Sequence, residues 1–433
     1  MTRSDIRPRP PKTAMVVSRF PKVTDTFQLV EMLALEKMGM PIELYPLVHH
    51  QEGTVHEAAV PLDRRANYIK LASWEVLKAQ LIWLRRNRRA YLDAWKWGIR
   101  TNLQAPDFLL RTFWVVPLAA AMSLRMEADG VEHVHAHFAT FPTHAAMVIH
   151  QLTGLPYSFT GHAHDVQIRR DGLGEKIAQS EFFFCCTHQV ADELRDAYGD
   201  EIFEKCNVVH HGINLETFTY QEPPADDGNR PFRMICVASF VEKKGHKYLI
   251  EACRLLRERG VSFELKLVGG NSVNHGDGQT EVIRLVDEAG LNDVVEFTGK
   301  RPQSEIRELL TWADAGVLAC CIRPNGDQDG LPNFLTECLA MGRPVVSTRQ
   351  AGVMELVTDG VEGLLVRTRD ARQLADALER LAKNPEMRRE MGIAGRKTVE
   401  AGHNVDVNTE RLFDIYLERA GSRRANAADS TNR

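Results

Sequence analysis

The sequence of 433 residues has no CxxC pair among its eight cysteines, no P-loop and no GxGxxG fingerprint. Each absence removes a class of protein. Cys185-Cys186 and Cys320-Cys321 are adjacent pairs inside apolar runs, which fits reduced thiols in a cytosolic chain better than a disulfide framework or a zinc ribbon. The stretch "TAMVVSRFPKVTDTF" has no glycine turn after its strand, and "VGGNSVNHGDG" has the wrong glycine spacing, so a nicotinamide enzyme is not expected; the missing P-loop argues against an ATPase. An excess of one charge is lacking too. With a formal net charge of -4 there is no global pull on nucleic acid, and an anionic ligand must be met by local basic groups or helix ends. No nucleic-acid partner is expected. The longest apolar run, "TFWVVPLAAAMSL", falls short of the roughly 20 residues that cross a bilayer and contains Pro117. The start, "MTRSDIRPRPPK", leads into no signal-peptide core, so neither a leader nor a spanning segment is expected.

What the sequence does have is an alternation of short apolar runs with longer amphipathic stretches. "AMVVS", "HVHAHF", "YSFTGHA" and "FFFCC" read as parallel strands joined by crossover helices, and after the polar, proline-containing "YQEPPADDGNRP" the alternation restarts with "FRMICVASF", "FELKLVGG", "VVEFTG", "AGVLACC" and "RPVVST". The fold class is therefore α/β, with two Rossmann-like doubly wound domains. The length supports this, since one core rarely grows past about 250 to 300 residues. The boundaries read as 1–214 for the first domain, 230–403 for the second, a helix over 404–420 and a disordered tail over 421–433. A helical insert at about 69–100 holds four of the six tryptophans and a cluster of arginines. It is either a hairpin packed on its own domain or a membrane-surface element in which Trp83, Arg85 and Arg86 meet lipid headgroups.

Ligands of doubly wound sheets bind at the carboxyl ends of the strands. The candidate there is "GDQDGLPNFLTE", a turn feeding an apolar helix. Pro332 suits a first-turn position, and the amides around Gly330, Leu331 and Asn333 can face an anion at the helix start. Asp329 and Glu337 can each accept two hydrogen bonds from neighbouring hydroxyls. Hydroxyls on both sides of a phosphate describe a nucleotide sugar. The plainer alternative makes Asp329 a turn-former and Glu337 a favourable acid near a helix start.

"DGLPNFLTECLAMGRPVVST" followed by "GVMELVTDGVEGLLV" resembles the signature of retaining glycosyltransferases of the GT-B fold, family four, in which an acid, seven residues and a glutamate bind the donor. "SRFPKVTDTF", "HVHAHFAT", "SFTGHAHD", "VVHHGINLETF", "VEKKGHKYLI" and "VEFTGKRPQSEI" extend the likeness over most of the chain. Within the family the sequence looks most like bacterial enzymes of exopolysaccharide, capsule or colanic-acid assembly. The resemblance implies two domains facing across a cleft, the first on the acceptor side and the second binding the nucleotide sugar, UDP- or GDP-linked, with no cofactor and no metal. It implies a glycan acceptor, lipid-linked or soluble, and a cytoplasmic enzyme able to work at the inner membrane face.

By position, the resemblance gives Glu337 the ribose hydroxyls and Asp329 the donor sugar, with Gly330, Leu331, Pro332 and Asn333 around the donor. Asp329 stands where glutamate is usual. Lys244 would face the diphosphate and His162 the donor sugar, with Asp165 fixing the His162 loop. Phe297 and Gly299 would pack the nucleobase. Ser239 departs from the usual arginine, leaving Lys243 or Arg323 as the second cation, or weaker diphosphate binding. Thr24, Asp25 and Thr26 replace a glycine-rich loop and are acceptor-side candidates. So is His137, the last of three histidines (His133, His135, His137) that alternate on a strand and could instead suggest a metal by type. The competing readings are a sugar-nucleotide-binding protein without turnover and another GT-B chemistry such as an epimerase or a phosphorylase; no segment matches a phosphorylase's pyridoxal phosphate lysine.

Overall fold

The computed structural model describes residues 9–21, 26–49, 57–103, 105–168, 170–224, 230–271 and 277–431. Thr24 and Asp25 lie outside them. The chain forms two compact units, one of residues 1–186, 190–211 and 405–433, the other of residues 187–189 and 212–404.

In the first unit the strands are β1 (Thr13–Phe20), β2 (Ile42–His49), β3 (His133–His137), β4 (Tyr157–Gly161), β5 (Phe182–Cys185) and β6 (Cys206–Val208). They lie parallel in the order β2-β1-β3-β4-β5-β6. Successive residues point to opposite faces and both faces are covered, which is why these strands are apolar runs rather than alternating ones. Ala14, Val16 and Phe183 pack on one side; Met15, Val17 and Phe184 pack on the other with Leu412, Phe413 and Tyr416 of the last helix. That helix runs Val405–Thr431, so the tail expected to be disordered from residue 421 continues it. The reason is electrostatic as well as compositional. Arg423 pairs with Glu181 at 2.9 Å and Arg424 with Glu132 at 3.3 Å, both acids of the first unit, and the segment beyond is rich in alanine.

The insert forms two helices, Trp74–Arg86 and Arg88–Asn102. Ser73 caps the first, accepting from the Val76 amide. Both pack on the 23-residue helix Pro106–Ala128. Among the described residues this is the one helix long and apolar enough to cross a membrane, longer than the apolar run read from the sequence, and Val115, Val116 and Leu118 to Met122 on it are buried in the core. Trp83 corrects the expected docking group. It is fully buried, with its indole N–H reaching the Ala120 carbonyl and the Ser123 hydroxyl at 3.0 Å each. Arg86 is engaged by Glu127 through two hydrogen bonds of 2.6 and 2.9 Å. The outward face instead carries Trp74 (73% exposed), Leu77 (52%), Leu81 (49%) and Leu84 (37%), one stripe at helical spacing bordered by exposed Lys78 and Arg85. Trp83→Ala is therefore expected to destabilise the fold by about 3–5 kcal/mol, read as a lower denaturant midpoint.

In the second unit the strands are β7 (Phe232–Val237), β8 (Phe263–Val268), β9 (Val295–Gly299), β10 (Ala315–Leu318), β11 (Val345–Thr348) and β12 (Gly363–Val366), parallel in the order β12-β11-β10-β7-β8-β9. The chain order reverses between β10 and β7, and the carboxyl ends of these two neighbours open the crevice where doubly wound sheets take ligands.

Candidate active site

Two loops leave that reversal point. The one after β7 carries "VEKKG", folded as a single turn of 3-10 helix, Glu242–Lys244, and closed by Gly245 at φ 68°. A side chain there is excluded twice. The backbone is left-handed, and a Cβ would stand 1.7 Å from the Ala319 carbonyl oxygen. The loop is thus pressed against the chain leaving β10, and the Cys321 amide donates to the Lys243 carbonyl at 2.8 Å. The second loop, from Ala319, returns through Asp327 and Asp329 to the helix Asn333–Ala340.

This brings Lys244 and Asp329 together: Nζ donates to Oδ2 at 2.7 Å. Burial disfavours charge on Lys244, but the facing carboxylate outweighs it and holds the ammonium above its ordinary range. Burial likewise pushes Asp329 up, and Lys244 and Lys243 reverse the sign, leaving it below the usual carboxylate range. Both groups are charged at neutral pH.

Pro332 sits one position earlier than expected, as the N-cap of the Asn333–Ala340 helix, and provides no side-chain cap for the first turn; amides so placed favour an anion. The turn before it is fixed by close backbone approach, since a Cβ on Gly352 would meet the Gly330 carbonyl oxygen at 2.1 Å. Gly316 of β10 does the same for the helix, where a Cβ would strike Cys338 Sγ at 2.4 Å. Leu331 is partly buried against the core. Glu337, on the helix, pairs with no cation among the described residues, and burial raises its carboxyl to about 8. Phe297 and Gly299 lie at the end of edge strand β9, where the pairing with β8 is irregular. Gly299 takes φ 73° and its carbonyl accepts from the Gly269 amide at 3.0 Å.

The first unit holds His162 just after β4. Asp165 accepts from the His162 backbone amide at 2.8 Å and also from the Ala139 amide, so it ties the loop after β4 to the loop after β3. The His162 ring packs against Phe138 (4.4 Å between centroids), Phe27 (4.9 Å) and His211 (5.2 Å). Neither of its ring nitrogens has a hydrogen-bond partner among the described residues, and burial, with His211 and His137 adding, keeps the imidazole neutral.

The three alternating histidines do share a face, but all are fully buried, so His137 is not on an open acceptor surface. The β3–β4 register sets His135 opposite Ser158 and His137 opposite Thr160. Ser158 Oγ then meets His133 Nε2 at 2.7 Å and His135 Nδ1 at 2.8 Å, and Thr160 Oγ1 meets His135 Nε2 at 3.1 Å. Both nitrogens of His135 are thereby taken by hydroxyls. His137 Nε2 lies 3.5 Å from Glu31, whose carboxyl burial raises to about 8.

Sequence reasoning missed His211 and Cys186, which meet at 2.9 Å between Nε2 and Sγ beside His162, and Asp327, which binds Lys243. Nothing in local spacing joins the first pair. Asp327 stood two residues from Asp329 inside the motif and was readable as a second acid there.

Residues 222–398 match the family described as "Glycosyl transferases group 1", and residues 77–217 match "Glycosyltransferase Family 4". The amylovoran biosynthesis glycosyltransferase AmsK of Erwinia amylovora is 35% identical over 216 residues, 50% of this chain and 51% of its own. A protein described as a colanic acid biosynthesis glycosyltransferase, WcaL of Escherichia coli K12, is 37% identical over 175 residues, 40% and 41% of the two chains. The matched region spans about half the length of these relatives, or less. In fold, HepE of Anabaena, solved in complex with UDP, superposes with a TM-score of 0.70 at 14% identity over 93% of this chain and 99% of that one. A glycosyltransferase from Rickettsia africae gives 0.69 at 16% identity, over 95% and 99%.

Proposed function

The chain belongs to the family-four glycosyltransferases of the GT-B fold, and from that premise we propose that it moves a sugar from a UDP- or GDP-linked donor to a hydroxyl of a glycan acceptor in exopolysaccharide assembly. The single observation that carries this reading is the convergence of Lys244 and Asp329 at the carboxyl ends of β7 and β10, next to the uncapped start of the Asn333–Ala340 helix. A cation and helix-end amides suit a diphosphate, and the carboxylates of Asp329 and Glu337 suit hydroxyls on either side of it. Transfer retains the anomeric configuration, the departing phosphate accepting the proton of the incoming hydroxyl from the same face. Lys244 stabilises the charge that develops on the leaving diphosphate. His162, neutral and with no hydrogen-bond partner for either ring nitrogen among the described residues, is the first unit's candidate for a sugar hydroxyl. Calorimetry with a panel of UDP- and GDP-sugars tests this: selective binding of one donor, lost in Lys244→Ala, is expected. A protein that binds none of them would overturn the reading.

The acceptor is a lipid-linked oligosaccharide, and the exposed stripe of Trp74, Leu77 and Leu81 beside Lys78 and Arg85 supports docking on an anionic bilayer. The triple variant Trp74→Ser, Leu77→Ser, Leu81→Ser is expected to lose sedimentation with phosphatidylglycerol-containing vesicles while keeping its melting temperature. Equal sedimentation of wild type and variant would refute the docking face.

A further inference from the structure

We infer that Lys243 is the second cation of the donor diphosphate site and that Asp327 is the residue that positions it, an inference that rests on the proposed donor. A diphosphate presents two phosphoryl groups, and one buried ammonium leaves half of that charge unmet. The structure gathers a second ammonium at the same place. Lys243 Nζ lies 3.0 Å from Asp327 Oδ1, 3.4 Å from the Gln328 carbonyl and 3.5 Å from Asp329 Oδ1, while Lys244 Nζ takes the other oxygen, Oδ2, at 2.7 Å. One carboxylate therefore bridges two ammonium groups that would otherwise repel. Two cations share the Asp329 carboxylate, with Asp327 holding Lys243 from the side, and a diphosphate, larger and more highly charged, can take the place of Asp329 between them.

The backbone brings the turn that carries both lysines against the second loop. Lys243 and Lys244 are consecutive, and consecutive side chains on an extended or helical backbone diverge. Here the tight 3-10 turn, closed by Gly245 and bolted by the Cys321 amide to the Lys243 carbonyl, lets both reach the second loop. Asp327 then fixes Lys243. It is 3% exposed, and its other oxygen lies 3.6 Å from Arg323 Nη1. Arg323, the rival for the role, is turned to Glu242, with Nε 3.2 Å from that carboxylate, and it is more exposed than Lys243, 31% against 18% for the side chains. Ser239 carries no charge, so the loop after β7 supplies its positive charge through the two lysines of its turn.

The test measures UDP and GDP against uridine and guanosine by calorimetry on the full chain. Lys243→Met is expected to weaken the preferred diphosphate about tenfold or more, as loss of a charge-assisted contact does, and to leave the nucleoside unchanged. Lys243→Arg is expected to keep most of the affinity. Installing the absent charge, Ser239→Arg in the Lys243→Met background, is expected to restore it, which a merely misfolded loop would not allow. Asp327→Asn is expected to raise KM for the donor more than it lowers kcat. Wild-type affinity in Lys243→Met, or the loss appearing in Arg323→Ala instead, would overturn the assignment while leaving the donor reading intact. Wild type that binds neither diphosphate would overturn both.

Discussion

Glu337→Gln is expected to remove the carboxyl's share of the pH dependence of nucleotide binding, to reduce transfer about a hundredfold, and to stabilise the empty protein. The three effects share one cause. Burial raises the Glu337 carboxyl from an ordinary 4.5 to about 8, so at pH 7 the empty site holds it largely protonated. Gripping two ribose hydroxyls calls for the carboxylate, which accepts both hydrogen bonds. Affinity for the nucleotide therefore rises with pH up to about 8 and levels off above it, beyond any slope due to the phosphate itself. Glutamine has no proton to lose, so its profile shows the phosphate slope alone. Stability runs the other way. Between 4.5 and 8 the folded chain keeps a proton that the unfolded chain has released, so the contribution of Glu337 to stability declines as pH rises through that window. Glutamine escapes this, for a gain of about 1–3 kcal/mol near pH 7.5; the residue keeps some solvent access, which favours the lower figure. Calorimetric titrations from pH 6 to 9 and melting curves at pH 5 and 8 check both. Parallel pH profiles for wild type and variant would remove Glu337 from the ribose.

The elements of this site were legible in the sequence to different degrees, for physical reasons. Strands buried on both faces must be apolar runs, so β7, β10 and seven others were readable, whereas β2, β6 and β12 were not picked out. Gly330 marked the loop before the Asn333–Ala340 helix, and the placement of Asp329 and Glu337 followed from the turn and helix between them. The face of the Trp74–Arg86 helix could not be read, because both of its sides are apolar. Only the packing of Pro106–Ala128 decides that Trp83 turns inward and Trp74 outward. The same holds for His133, His135 and His137. Period two gave their common face, whereas their hydroxyl partners come from the register of a neighbouring strand. His211 meets Cys186 across 25 residues of chain, a contact that no local pattern encodes. The last helix runs past the end that composition indicated, and Arg423 and Arg424 meet Glu181 and Glu132, acids far away in the sequence that composition does not place beside them.

Asp329→Asn is expected to tighten the binding of the free nucleoside diphosphate while it lowers the rate of transfer, two effects of opposite sign from one substitution. In the empty protein Asp329 is the counter-ion of Lys244 at 2.7 Å and of Lys243 at 3.5 Å, and the diphosphate has to compete with it for both ammonium groups. Asparagine keeps the shape and removes the competitor, so the diphosphate meets Lys244 without its counter-ion and Lys243 held by Asp327 alone; a gain of about three- to tenfold in affinity is consistent with about 1 kcal/mol of released competition. The empty variant pays for this in stability, since breaking a buried ion pair leaves uncompensated charge at a cost of up to about 3–5 kcal/mol. Added diphosphate should recover part of that loss, giving a larger thermal shift than in wild type. Transfer falls because the amide accepts fewer hydrogen bonds from the sugar hydroxyls than the carboxylate does. Lys244→Ala is the contrasting variant. It leaves Asp329 buried beside Lys243 alone, removes the charge that stabilises the leaving group, and is expected to lower kcat by about 10²–10³, the usual effect of deleting one preorganised donor, with weaker diphosphate binding rather than tighter. If Asp329→Asn weakened diphosphate binding as Lys244→Ala does, the carboxylate would have to be holding the lysines in place for the ligand rather than competing with it.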